Sequence, residues 1–174
     1  MQGGAPLSLT PNIGSAFGEW TLDAHAYTGN LTIEAAPEDG ILDNVVIMLG
    51  KGANDVEFNG FTATITSADA NHGDVIDASN AGFVTVSLSD TGGINSVSVG
   101  SSGTVTIGTG QDTVVAKDRA AISVGASDTG PVSVTVGTAS VVTLAGGNSA
   151  PVTVTVADVA RSPLPLRRER VGRR

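Results

Sequence analysis

The sequence contains no cysteine, only six aromatic residues, and just nine basic residues. Each shortage excludes something. Without cysteine there is no disulfide frame, so a small secreted domain would have to be held by repeat stacking, by metal or by assembly. Aromatic residues make up 3% of the chain and none follows Phe83. Rings normally fill much of a wide interior, so the core must be narrow. No segment approaches the roughly 20 apolar residues of a membrane helix. The stretch Met1 to Gly14 has neither the charged start nor the apolar run of a secretory signal.

The scarcity of positive charge is uneven. Arg161, Arg167, Arg168, Arg170, Arg173 and Arg174 are six of the nine basic residues. Without residues 161–174, three basic residues face sixteen acidic ones, a formal charge of −13. Such a body repels nucleic-acid phosphates and anionic lipid, so neither nucleic acid nor an inserted membrane is an expected partner. It suits a divalent cation.

What the chain has in abundance is valine (22), threonine (19) and glycine (23). β-branched side chains favour strands, because their crowded Cβ fits a pleated surface and resists the helix. Short bursts of apolar–polar alternation run through the sequence, separated by Gly, Asn, Asp and Ser. They are Leu31–Glu34, Val45–Leu49, Asp55–Phe58, Thr62–Thr66, Val84–Leu88, Ser96–Val99, Thr104–Ile107, Thr113–Ala116, Ala121–Val124, Val132–Val136, Val141–Leu144 and Val152–Val156. Strand starts every 8–12 residues suit a sandwich, a barrel or a solenoid.

An internal repeat separates these options. Residues 97–112, VSVGSSGTVTIGTGQD, match residues 134–149, VTVGTASVVTLAGGNS, at an offset of 37. A second echo sets Leu22-Asp23-Ala24 against Ile76-Asp77-Ala78, 54 positions on. Both offsets are near multiples of 18–19 residues, the length of a two-sided coil. The expected fold is all-β, a parallel β-solenoid of about 18–20 residues per coil and about seven coils, with a β-sandwich as the alternative. The expected organisation is an N-terminal lead or cap over 1–19, a repetitive domain over 20–160, and a disordered basic tail over 161–174. In that tail two prolines in three residues end any strand and the arginines repel one another. It reads either as a basic arm for an anionic polymer or as a non-native end. Phe17, Trp20 and Tyr27 read as a hydrophobic cap or a partner contact.

Catalytic equipment is thin. His25 and His72 are the only histidines and lack partners at zinc-ligand spacing. No G-x-x-x-x-G-K-[ST] phosphate loop occurs. Before the tail only Lys51, Lys117 and Arg119 are basic, too few for the base–arginine site of a polysaccharide lyase. The expectation is a structural or binding protein, not an enzyme.

Four turns carry the remaining chemistry. Gly108-Thr109-Gly110-Gln111-Asp112-Thr113-Val114 and Gly50-Lys51-Gly52-Ala53-Asn54-Asp55-Val56 place an Asp or Asn after paired glycines. Asn71-His72-Gly73-Asp74-Val75-Ile76 and Gly92-Gly93-Ile94-Asn95-Ser96-Val97 are looser versions. Asn54, Asp74, Asn95 and Asp112 are spaced by 20, 21 and 17 residues, about one coil each, which puts them on one edge of a solenoid. Such residues are also ordinary turn formers, because Asn and Asp bond their own backbone.

These loops, with GKGANDVEF, GTGQDTVVA, LDAHAYTGNLTI and GDVIDASNAG, resemble the repeats-in-toxin (RTX) family and the repetitive parts of bacterial surface-layer and large adhesin proteins. The resemblance covers residues 20–116 loosely. It implies a calcium-stabilised β-roll, secretion to the cell surface, and a structural or adhesive role. The ligands it implies are Asp112, Asp74 and Asn54 or Asp55, with carbonyls from Gly50, Gly52, Gly108 and Gly110. Calcium wants six to eight oxygens, so turns from stacked coils would have to converge on it. Further partners implied are copies of the chain or a cell-surface polysaccharide. The motifs stand alone here, whereas RTX arrays repeat them every nine residues. A metal-free stalk of the phage-fibre or autotransporter kind fits the same repeats, and a carbohydrate-active enzyme fits them less well.

Overall fold

A computed structural model describes residues 5–10, 12–13, 19–37, 44–67, 72–89, 93–125, 130–145 and 150–157. It has sixteen strands and no helix among those residues. In chain order they are β1 (Leu7–Leu9), β2 (Asn12–Ile13), β3 (Glu19–Asp23), β4 (Leu31–Pro37), β5 (Asn44–Met48), β6 (Asp55–Phe58), β7 (Thr62–Ser67) and β8 (Val75–Ala78). The rest are β9 (Phe83–Leu88), β10 (Ser96–Val99), β11 (Thr104–Ile107), β12 (Thr113–Ala116), β13 (Ala121–Val124), β14 (Val132–Val136), β15 (Val141–Leu144) and β16 (Val152–Val156).

The strands alternate between two sheets. The first runs β1-β4-β6-β8-β10-β12-β14-β16, with β2 beside the end of β4; the second runs β15-β13-β11-β9-β7-β5-β3. Every pair is parallel, as Val97 opposite Val114 and Val114 opposite Val134 illustrate. The chain is therefore a two-sheet parallel β-solenoid of about six turns, one fewer than the sequence suggested. A sandwich of antiparallel hairpins is excluded. At about 4.8 Å per strand spacing, the first sheet rises roughly 34 Å.

The alternation of burial within each strand follows the alternation of side-chain type. In β6 Asp55 and Glu57 face out while Val56 and Phe58 face in. Stacking turns these positions into rows. Ile33, Val56, Ile76, Val97, Val114 and Val134 form one buried row on the first sheet. Ile47, Ile65, Val86, Val105 and Ile122 form its counterpart on the second. The two inner faces meet with no third layer, so short branched side chains suffice. Among the described residues Phe58 is the one fully buried ring; Gly60 makes room for it, since a Cβ there would strike the ring. Trp20, Leu22 and Tyr27 pack half-buried against the first coils. Phe17 lies outside the described residues, as does the whole stretch assigned to a basic tail.

The 37-residue repeat is two coils. Val97 reaches Val134 through Val114, and Val105 reaches Val142 through Ile122, each by steps of 17 and 20 residues. The 54-residue echo is not a whole number of coils. Leu22 lies on the second sheet and Ile76 on the first. That likeness reflects only the shared need for an inward apolar residue before a turn. Coil length also varies: successive positions are 25 residues apart at Glu19 and Asn44 but 17 apart at Thr104 and Ala121. Turns absorb the difference while strand register holds.

Candidate functional site

The turns leading from the second sheet into the first carry Asn54, Asp74, Asn95 and Asp112. Strand register puts each directly beside the next, because Asp55 pairs with Val75, Val75 with Ser96, and Ser96 with Thr113. All four side chains are buried, with at most 2% exposure. Two residues after each comes an inward core residue: Val56, Ile76, Val97 and Val114. The four sequence-spaced positions are thus one continuous column along the inner edge.

Its chemistry is a chain of hydrogen bonds between coils. The Asn54 backbone N–H donates to Asp74 Oδ1 at 3.0 Å, and the Asn54 amide Nδ2 donates to the same oxygen at 2.8 Å. The Asp74 N–H donates to Asn95 Oδ1 at 2.9 Å. Asn95 then repeats the pattern of Asn54, donating N–H (3.1 Å) and Nδ2 (2.7 Å) to Asp112 Oδ1. Asp74, Asn95 and Asp112 each accept the turn N–H of the coil before, satisfying a backbone group that burial would otherwise strand, whereas the buried Asn54 Oδ1 accepts none. The order Asn-Asp-Asn-Asp matters. An amide supplies donors that a second carboxylate could not, and it keeps the two carboxylates two coils apart. At an effective dielectric of about 20, two charges repel by about 3.5 kcal/mol one coil apart and about 1.7 kcal/mol two coils apart. Asn95 belongs to the column as fully as the residues singled out as ligands; its spacing, not its residue type, is the signal that finds it.

The glycines serve close approach. A Cβ at Gly50 would collide with the backbone oxygens of Tyr27 and Ala24, at Gly52 with Gly29 O, and at Gly110 with Gly93 O. Gly108 O lies beneath Gly125, where a Cβ would be 3.0 Å away. The carbonyls of Gly50 and Gly52 both accept the Asn54 Nδ2, at 3.3 and 2.8 Å. Asp55 does not join the column. It is the first residue of β6, and its side chain is exposed on the outer face.

The oxygens that a nonapeptide-type site would offer, Gly50 O, Gly52 O and Asp74 Oδ1, face the N–H groups of Asn54, which a cation would have to displace. Asp55 points away, and no group of three or more His, Asp or Glu side chains converges as a metal site among the described residues. Among the described residues the arrangement is a hydrogen-bonded column, with the buried Asn54 Oδ1 as an acceptor it leaves unfilled.

The opposite turns, from the first sheet into the second, are built differently. Ser102, Arg119 and Ala139 hold left-handed backbone angles, with φ of 63°, 59° and 57°. They stack, each two residues before Thr104, Ala121 and Val141. Backbone bonds tie them: Ser102 N–H to Asp118 O and Arg119 N–H to Thr138 O. Asp118 Oδ1 accepts Thr138 N–H at 2.8 Å, and Asp77 Oδ1 accepts Ser79 N–H at 3.0 Å. The Ser79 backbone and hydroxyl bonds hold the Asp77 carboxyl below its ordinary range, with Lys117 adding a smaller pull.

One open depression lies near the N-terminal end, lined by Asp23, Ala24, His25, Ala26 and Tyr27. His25 Nδ1 lies 2.5 Å from Asp23 Oδ1. That bond lowers the Asp23 pKa, the His25 backbone N–H adding to the effect. Both side chains are well exposed. With no nucleophile or cation beside it, the pair closes a surface turn.

The fold and column define a repeat-type β-solenoid. No protein family matches the chain, and neither a curated protein nor a solved structure does.

Proposed function

We propose that this chain is a structural segment of a secreted bacterial cell-surface protein, of the surface-layer, RTX-like or adhesin kind, acting as a stiff spacer and not as an enzyme. The observation that carries this reading is the four-coil column Asn54-Asp74-Asn95-Asp112. Its buried N–H, amide and carboxylate groups bond coil to coil. A solenoid with every coil locked in register resists bending and sliding, which a spacer requires. The acidic body and the absence of cysteine suit an extracellular setting.

In this reading the column itself does the work assigned to calcium in β-rolls. The test is thermal unfolding of the chain, followed by far-UV circular dichroism, with chelator and then with calcium up to the millimolar range. Equal folding and equal Tm in both supports a metal-free rod. A rise in Tm that Asp74→Asn together with Asp112→Asn abolishes would overturn it, making those carboxylates calcium ligands and the chain a β-roll.

A further inference from the structure

The last coil is left open. Val154 and Val156 stand opposite Val134 and Val136, which are 0% and 2% exposed, and Leu144 stands opposite Val124, at 0%. Yet Val154, Val156 and Leu144 are 42%, 63% and 47% exposed. They occupy core positions with no further strand beside them among the described residues. β15 and β16 also end their sheets, so each presents one edge without a strand partner among the described residues. Natural edges are blunted by charge, proline or a bulge to prevent strand addition. This edge is not. Residues 129–157 contain no charged side chain, and β16 reads Val-Thr-Val-Thr-Val.

The opposite end is its complement. β1 and β3 end the same two sheets on the other side, with Leu7 43% exposed and Trp20 and Leu22 half-buried. In a parallel solenoid all strands of a sheet run the same way. A second copy displaced along the axis therefore brings its β1 beside β16 and its β3 beside β15, extending both sheets in parallel. Leu7 and Leu9 would then cover Val152 and Val154, which lie in the same two rows as the Leu31 and Ile33 they cover within the chain. Charge does not oppose this pairing: β3 carries exposed Glu19 and Asp23, and residues 129–157 hold no carboxylate to repel them.

We propose that the β15–β16 end is a docking surface for the β1–β3 end of a second copy, joining chains head to tail. The contact is heterologous and does not close, so it yields a series of lengths and not a fixed dimer. This deepens the reading of the chain as a spacer and rests on it, but it is independent of calcium.

Sedimentation velocity over a concentration series of the full chain tests it. The expected result is dimers, trimers and longer species growing with concentration. Val154→Lys and, at the other end, Leu7→Lys each shift association to at least tenfold higher concentration. Val115→Lys, on the lateral face where Val115 is 45% exposed, does not. Mixing the two end variants restores pairing but stops at a one-to-one dimer, because each retains one intact end. Circular dichroism checks that each is folded, and either end variant alone suffices if the other is not. A chain that stays monomeric into the hundred-micromolar range overturns the proposal. So do association that halts at a dimer in the unmodified chain, or equal weakening by all three substitutions. An elongated monomer in the same run would leave the spacer reading standing while the docking fails.

Discussion

Along one edge of the solenoid the turns are held from inside, by Asn54, Asp74, Asn95 and Asp112 bonding across coils with buried side chains. Along the other they are held by the backbone, with Ser102, Arg119 and Ala139 in the left-handed region and N–H to C=O bonds between coils. Both edges perform one task, reversing the chain and fixing the next coil. The first places Asn or Asp at four successive levels, with the apolar Leu31 before them and Val132 after them in the same row. The second accepts a serine, an arginine and an alanine at the same position, because only backbone shape is required there. A solenoid can thus carry a conservative edge and a permissive one.

The sharpest way to break the comparison is to place the wrong group in the column. Asn95→Asp sets a third carboxylate between Asp74 and Asp112, one coil from each, and removes the amide donor to Asp112 Oδ1. It should cost about 3–5 kcal/mol at neutral pH. The cost should shrink as the pH approaches about 4, where the new carboxyl gains a proton to donate. Urea unfolding of variant and parent at both pH values measures this; a loss below 1 kcal/mol at pH 7 would show that the column is not under electrostatic constraint.

On the permissive edge the effect reverses and is smaller. Ala139→Gly removes the strain of a Cβ at φ 57° while adding unfolded-state freedom. A gain of a few tenths to about 1 kcal/mol is expected, read as a higher urea midpoint with unchanged slope. A clear loss would mean that Ala139 contributes through its side chain.

The smallest effect concerns Asp77, whose carboxylate is stabilised by Ser79 on the permissive edge. Its folded pKa lies below its unfolded value. The stability it contributes is therefore present above about pH 4 and is lost as the pH falls through the folded pKa. Asp77→Asn should make stability slightly less steep in pH below about 4 and leave the shape above about 5 unchanged. Thermal unfolding from pH 2 to 6 compares the two profiles, and identical slopes would remove Asp77 from the acid response.

Most of the fold is legible in the sequence, because one layer of short β-branched residues leaves little but alternation to read. The bursts from Val45 to Val156 coincide closely with strands, and Asn54, Asp74, Asn95 and Asp112 announce their edge by spacing alone. β8 was less visible: Val75-Ile76-Asp77-Ala78 has only two inward positions, one of them the small Ala78, and sits against a glycine-aspartate turn, so it reads as loop. β1 to β3 lie where alternation is weak. The direction of the column side chains was hidden for a different reason. An aspartate after glycines serves a cation or a neighbouring N–H equally well, and only the coil above decides which oxygen faces which donor. The left-handed positions were hidden too, since serine, arginine and alanine do not advertise that conformation.

The 37-residue repeat, now seen to be two coils, has a consequence for how such a chain lengthens or shortens. Because Val97 and Val134 occupy the same row and face the same way, excising residues 97–133 would join Ser96 to Val134 with both sheets still continuous. Inserting a second copy of that segment would extend the rod just as cleanly. The unit of inheritance in this architecture is then a cassette of two coils, and length becomes a property that recombination between repeats alike in their inward positions can change in one step without redesigning a core.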